Sequence, residues 1–323
     1  MKIIVIKFGG SSLATPERVR RAAGMVLSAR RRGLYPAAVV SAPADVTDDL
    51  LSLAARTAGT PLPRREADAL MAAGEQISAA LLAMAIEAEG EKAVSLTGAQ
   101  AGMRTDGKFS AAALKRVAPG RVEKELRAGR IPVVAGFQGV SPAGDITTLG
   151  RGGSDLTAVA LAGALGAVLC EFRTDVKGIY TAHPAIVPDA RKIREISYAE
   201  VLELARAGTE VRQLRAIALA ARSRLPLHLR SSFHSEPGTM VTARGGKAGV
   251  SCLSLAREGG AASVTAIGRG LGKEHSRLAL SAARAGADHL LSASPFAIKL
   301  AVPADSADEA LRALHRAFFC RAR

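Results

Sequence analysis

The chain has 323 residues, a formal net charge of +15, 48% hydrophobic residues, 3% aromatic residues and no tryptophan. This composition supports a substantial core of Ala, Leu and Val, and it is poor for a nucleic-acid binder that stacks bases on rings. Three cysteines without CxxC spacing argue against a disulfide framework or a zinc site and fit a reducing, cytoplasmic setting.

In chain order, an apolar strand over 3–7 runs into Lys7-Phe8-Gly9-Gly10-Ser11-Ser12. Glycines without a Cβ let backbone N–H groups approach an anion, and Lys7 adds a point charge. Thr15-Pro16-Glu17 reads as a helix start, with Thr as cap and Pro in the first turn. A helix over 17–32, a strand over 37–41, a helix over 65–89 and strands over 93–97 and 132–137 follow. Glu75 sits in the otherwise mostly apolar helix 65–89; alone it reads as an exposed helix position, and in company as a second carboxylate candidate.

The segment Thr147-Thr148-Leu149-Gly150-Arg151-Gly152-Gly153-Ser154-Asp155 again leads into a helix, over 156–165. Ser154 is the expected N-cap, and the helix N-terminus favours an anion. Arg151 offers a planar fork for a carboxylate or phosphate. Asp155 can hold an ammonium group or orient Lys7. A strand over 169–174 precedes Thr174-Asp175 and Tyr180, and a helix over 198–221 and a strand over 227–230 complete the alternation. Strands alternating with helices imply a mostly parallel sheet covered on both faces. Ligands of such sheets sit beyond the carboxyl ends of the strands, where both glycine turns are expected.

Composition shifts at Ser235-Glu236-Pro237-Gly238 and again over 244–249. Strands over 250–255, 263–267 and 296–302 and helices over 273–285 and 306–318 then describe a small α+β module. Residues 268–273 read as a loop. The opening decapeptide lacks a signal-peptide pattern, and no charge-free stretch of about twenty apolar residues marks a membrane span. The arginines are scattered, as on surface helices, with no nucleic-acid footprint.

These segments together resemble the aspartate kinases of the amino-acid kinase family. The matching stretches include KFGGSSLATPERVR (7–20), GEQISAALLA (74–83), GFQGVSPAGDITTLGRGGSDLTAVALAGALGA (136–167) and TDVKGIYTAHPAIVPDARKIREISYAEVLELA (174–205), within residues 1–240. The resemblance implies a three-layer α/β sandwich around a mostly parallel sheet over 1–240, and a small ACT-like domain over 249–323 through which a homodimer would form. It implies ATP and Mg2+ as cofactors and L-aspartate as acceptor, without nucleic acid, membrane or protein-bound metal. Lys7, Gly9, Gly10 and Ser11 would hold the ATP phosphates, with Lys7 and Asp155 catalytic. Ser41, Thr47, Glu75, Arg151 and Ser154 would hold aspartate, Glu75 taking its ammonium and Arg151 its α-carboxylate. Thr174, Asp175 and Tyr180 would contact the nucleotide. Three positions depart from the pattern: Ala185 replaces an arginine, Glu210 a lysine, and Pro43-Ala44 a Met-Gly pair. Two readings follow, a working kinase with a rearranged nucleotide side and a weakened homologue that binds an amino acid.

Overall fold

The computed structural model describes residues 1–208, 214–271 and 289–320. Glu210 and the expected helix over 273–285 lie outside them. The strands are β1 (Ile3–Phe8), β2 (Tyr35–Val40), β3 (Ala93–Leu96), β4 (Met103–Thr105), β5 (Leu114–Val117), β6 (Ile131–Ala135), β7 (Gln138–Val140), β8 (Ile146–Thr148), β9 (Leu169–Thr174), β10 (Glu195–Ser197), β11 (Leu227–Ser231), β12 (Thr239–Thr242), β13 (Gly249–Glu258), β14 (Ala261–Arg269), β15 (His289–Ala293) and β16 (Ala297–Val302). The helices are α1 (Pro16–Arg31), α2 (Val46–Ala58), α3 (Arg64–Ala88), α4 (Gly120–Arg127), α5 (Gly153–Ala164), α6 (Tyr198–Arg206), α7 (Leu214–Ser223) and α8 (Ala307–Phe319).

Packing divides the chain into two units, Met1–Lys177 with Arg222–Glu236, and Gly178–Ala221 with Pro237–Arg323. The sequence expectation groups 178–221 with the N-terminal part; packing groups them with the C-terminal part. In the first unit six strands run parallel in the order β11-β9-β1-β2-β6-β3. Ile4, Ile6 and Phe8 of β1 join Val19, Val26, Leu82 and Ile86 of α1 and α3 in one core. Strand side chains alternate between faces, so Val5 and Lys7 point the other way, toward α5. The expected three layers are therefore present. α3 is long and apolar enough to cross a membrane by length and composition. Half of its most apolar window is buried, and it carries the buried carboxyls Asp68 and Glu75, as a core helix does.

Three features differ from expectation in this unit. α2 and α4 were not foreseen: none of α2's side chains is fully buried, and α4 has only eight residues. A second four-stranded sheet, β5-β4-β7-β8, is made of strands of three or four residues. Such strands are too short to show a two-residue period.

In the second unit β10 pairs with β12 in parallel. β13-β14-β16-β15 form an antiparallel sheet. Val264, Ile298 and Leu300 of that sheet pack with Leu311 and Leu314 of α8, and Ala182 and Val187 join the same core. β15 was not foreseen, and all five of its side chains are exposed. β14 reaches Arg269, so Gly268 and Arg269 are strand rather than loop. The helix expected over 198–221 is interrupted: α6 ends at Arg206 and Gly208 is left-handed with φ +83°, a conformation that ends helices.

Candidate active site

The glycine turn after β1 is held by backbone and hydroxyl contacts. Gly9 N–H donates to the Arg173 carbonyl at 3.0 Å, and Ser12 N–H donates to the Gly9 carbonyl at 3.0 Å. The Ser12 hydroxyl lies 2.7 Å from that of Ser232, so Ser12 is committed to the scaffold while Ser11 stays half-buried. Arg18 donates to the Ser11 carbonyl at 2.8 Å and lies over the Phe233 ring, 5.1 Å from its centroid. α1 then begins as the sequence implied, with the Thr15 hydroxyl accepting from Arg18 N–H and Pro16 in the first turn. A Cβ on Gly10 would lie 2.8 Å from the Ala42 carbonyl oxygen and 3.3 Å from Ala44 N. Both neighbours are backbone and cannot rotate away. Gly10→Ala is expected to lower stability by about 1–3 kcal/mol through overpacking. Urea denaturation checks this, and a variant as stable as the parent would contradict it.

The second glycine turn leaves β8. That strand pairs antiparallel with β7 in the short, mixed four-stranded sheet, so only the first turn sits at a carboxyl end of the parallel sheet. Gly150 and Gly152 have φ of +70° and +71°. Gly152 is the N-cap of α5, not Ser154; Ser154 lies buried inside the first turn. An extended Ser154 would be needed to cap, and the left-handed Gly152 takes that place instead. A Cβ on Gly136 would lie 2.8 Å from the Ser154 Cβ and from the Val40 carbonyl, so the turn after β6 is wedged between β2 and α5.

The two turns meet. Lys7 Nζ and Asp155 Oδ1 are 2.7 Å apart, and both side chains are about nine-tenths buried. Asp155 is thus paired with Lys7. Glu75 joins them from α3. It is 4% exposed, which overturns the exposed-helix reading. Its Oε1 accepts from Ala42 N–H at 3.1 Å, and its Oε2 is buried with no hydrogen-bond partner. Burial pushes the Glu75 carboxyl up to about 7, against the pull of the Ala42 N–H and the nearby Lys7 charge. A buried carboxylate oxygen without a donor costs free energy until a donor arrives. The arrangement can accept one cationic group at Glu75 and neutralise one anion at Lys7.

The remaining expected residues lie on several elements of the two units. Ser41 follows β2 and donates its N–H to the Phe8 carbonyl at 3.1 Å; Thr47 lies half-buried in the first turn of α2. Arg151 is exposed and makes no ion pair among the described residues, leaving its fork available. Thr174 ends β9 and accepts from Val176 N–H, while Asp175 is exposed. Lys177 pairs with Glu236 at 3.3 Å. Tyr180 belongs to the second unit, where it bridges to Lys192, whose ammonium sits 5.6 Å from the ring centroid. Ala185 is exposed in the turn that follows His183.

Sequence reasoning missed a buried ionic cluster on β9 and β11. Glu171 is 2.6 Å from Arg173, 3.4 Å from His228 and 3.5 Å from Arg230. Burial alone pushes the Glu171 carboxyl up, but His228 and the two guanidiniums outweigh it and hold it at about 2. Because Arg173 also provides the carbonyl that binds Gly9, the cluster fixes the floor of the first turn. The signal was available: two charges alternate with apolar residues in a strand that reads as buried.

The amino acid kinase family model matches residues 2–231. The aspartokinase of Mycobacterium tuberculosis is 50% identical over 242 residues, 75% of this chain and 57% of that protein. That of Geobacillus stearothermophilus is 48% identical over 241 residues, 75% of this chain and 59% of that protein. The chain thus spans less than two thirds of the length of these relatives. Among solved structures, E. coli aspartokinase III in complex with aspartate and ADP matches with a TM-score of 0.82 at 23% identity, covering 98% of this chain and 100% of that one, a likeness of fold. With the sheet and both glycine turns inside a match that covers well over half its length, the chain belongs to the amino acid kinase family.

Proposed function

We propose that this chain phosphorylates the β-carboxylate of L-aspartate with ATP, giving 4-phospho-L-aspartate and ADP. The observation that carries this reading is the buried Lys7–Asp155 pair together with the buried, unpartnered Glu75 Oε2, on which the Lys7 charge acts. Aspartokinase relatives near 50% identity support it, as does the neighbour solved with aspartate and ADP. Glu75 takes the ammonium of aspartate, and Arg151 its α-carboxylate, bidentately. Ser41, Thr47 and Ser154 border that acceptor. The phosphates lie against Lys7 and the Gly9-Gly10-Ser11 turn, where the Gly9 N–H is held by the Arg173 carbonyl, Gly10 and Ser11 offer theirs, and a Cβ on Gly10 would strike backbone. Thr174, Asp175 and Tyr180 serve the nucleotide.

A β-carboxylate oxygen attacks the γ-phosphorus, and the bond to the ADP oxygen breaks. The nucleophile is already ionised at neutral pH, so no general base is required, and alignment with charge neutralisation is the main demand. Asp155 holds the Lys7 ammonium aimed at the transferring group. No group of three metal-ligating side chains exists among the described residues. Mg2+ would enter on the nucleotide, where it would neutralise phosphate charge.

The same reading places the chain in the cytoplasm at the entry to lysine, threonine and methionine synthesis. The antiparallel β13-β14-β16-β15 sheet with α8 serves as an ACT-like module joining two copies. The exposed Ala185, where the resemblance expects an arginine, favours a second reading: an aspartate-binding homologue with weakened catalysis.

Purified protein with Mg-ATP and L-aspartate should release ADP, and hydroxylamine should trap the acyl phosphate as a hydroxamate. Arg151→Ala should raise the KM for aspartate at least about tenfold, as loss of a charged hydrogen-bond pair does. Aspartate binding without ADP release would select the second reading, and neither would sink both.

A further inference from the structure

We infer that Asp68 is a positioning residue that holds the arginine-bearing turn at a set distance from Glu75. Its kinetic consequence rests on the aspartate-kinase reading; its structural consequence does not. Asp68 lies near the start of α3, and none of it is exposed. A carboxyl group buried in this way must be compensated by hydrogen bonds or by a cation. No Lys or Arg pairs with Asp68 among the described residues. The Ser110 loop and the end of β8 converge on it instead. Ser110 N–H donates to both of its oxygens, at 3.0 and 2.9 Å. Thr148 N–H donates to Oδ2 and the Thr148 hydroxyl to Oδ1, each at 2.8 Å.

Thr148 stands three residues before Arg151, with the left-handed Gly150 between them. The Ser110 loop closes the other side of that turn. A Cβ on Gly150 would lie 3.4 Å from the Ser110 carbonyl, and Ala112 N–H donates to the Thr148 carbonyl at 2.8 Å. One side chain therefore ties together both strands of chain that border the acceptor turn.

Glu75 is seven residues further along α3, on nearly the same face and about 10 Å along the axis. Between the two, the Ala72 carbonyl accepts from the Gln138 side chain at 2.8 Å, so the helix is fastened to β7 as well. A single helix thus works as a ruler. Glu75 marks one end, at the acceptor ammonium. Asp68 marks the other, through Thr148, at the turn that carries Arg151. An acceptor gripped at both ends presents its side-chain carboxylate at a reach set by this spacing, which favours aspartate over the longer glutamate.

The test uses the full chain with Asp68→Asn and Thr148→Val. Asparagine keeps the shape but turns an amide nitrogen toward N–H donors; valine removes one hydrogen bond and keeps the branching. Both should raise the KM for aspartate, Asp68→Asn by at least about tenfold, and leave the KM for ATP within about twofold. The preference for aspartate over glutamate in kcat/KM should fall in both. Amide hydrogen exchange should quicken at least about tenfold over 108–112 and 147–152 while 4–8 stays protected. A merely structural Asp68 would lower the melting temperature and leave the two KM values in their original ratio, which overturns the inference. Unchanged exchange in both variants overturns it too, whatever the substrate. If Asp68→Asn fails to fold, Thr148→Val carries both readouts. If the unaltered protein releases no ADP with aspartate, the kinase reading falls, and hydrogen exchange still decides the role of Asp68.

Discussion

Lys7→Met should reduce aspartate-dependent ADP release at least about a hundredfold, because it removes the cation aimed at the developing charge of the transferring phosphoryl group. It should also destabilise the fold. The Lys7–Asp155 pair is about nine-tenths buried, and removing one partner leaves Asp155 as an uncompensated charge. Losses of about 3–5 kcal/mol follow such breakage. The two effects separate in a double variant. Lys7→Met with Asp155→Leu replaces the pair by apolar groups, which is often close to neutral for stability. That double variant should recover most of the urea midpoint and none of the turnover. A single Lys7→Met variant with activity within about threefold of the parent would remove Lys7 from phosphate neutralisation. Recovery of turnover in the double variant would show that folding, not charge, was the first variant's defect.

Glu75 should make aspartate binding depend on pH. Its carboxyl is raised from the ordinary 4.5 to about 7, chiefly by burial. Below about 7 the free protein carries Glu75 neutral, and an arriving ammonium must displace that proton. The KM for aspartate should therefore rise about tenfold for each pH unit below 7 and level off above it. Aspartate itself does not titrate between about 5 and 8, so the slope belongs to the protein. Glu75→Gln should abolish the slope and weaken binding at all pH values. A flat KM profile in the unaltered protein, or the same slope in Glu75→Gln, would rule out Glu75 as the ammonium site.

The same group affects stability. Between 4.5 and about 7 the folded state holds a proton that the unfolded chain has lost. Stability from this group is therefore fully present below 4.5, falls as pH rises through that window, and is gone above 7. The loss is on the order of 3 kcal/mol. Glu75→Gln should consequently be the more stable protein above pH 7. Activity and stability would then move in opposite directions on one substitution, as expected where a strained polar group serves a ligand.

Legibility in the sequence followed the range of the interactions involved. β1, β2 and β6 were readable because buried parallel strands are mostly runs of apolar residues. α1 was readable from Thr15-Pro16, since a cap is a contact three residues long. α2 escaped because no side chain in it is fully buried, which weakens the periodic signal. The cap was misplaced by two residues, at Ser154, because a left-handed glycine, Gly152, took the capping position. At the site, the glycine turns, Arg151 and Asp155 announced themselves. Asp68 did not, since its partner Thr148 is 80 residues away and nothing local marks the pairing.

By itself, then, the sequence determined the local grammar of this protein: which runs are strands, where two glycine turns open into helices, and which charged groups stand beside them. Only the tertiary structure decided that Lys7 faces Asp155, that Glu75 is buried with one oxygen unpartnered, and that Asp68 fastens a loop and the end of β8 at once. The physical reason is that burial, ion pairing and a shifted proton affinity depend on which distant segments come within a few ångströms, and no neighbouring residue in the chain records that distance.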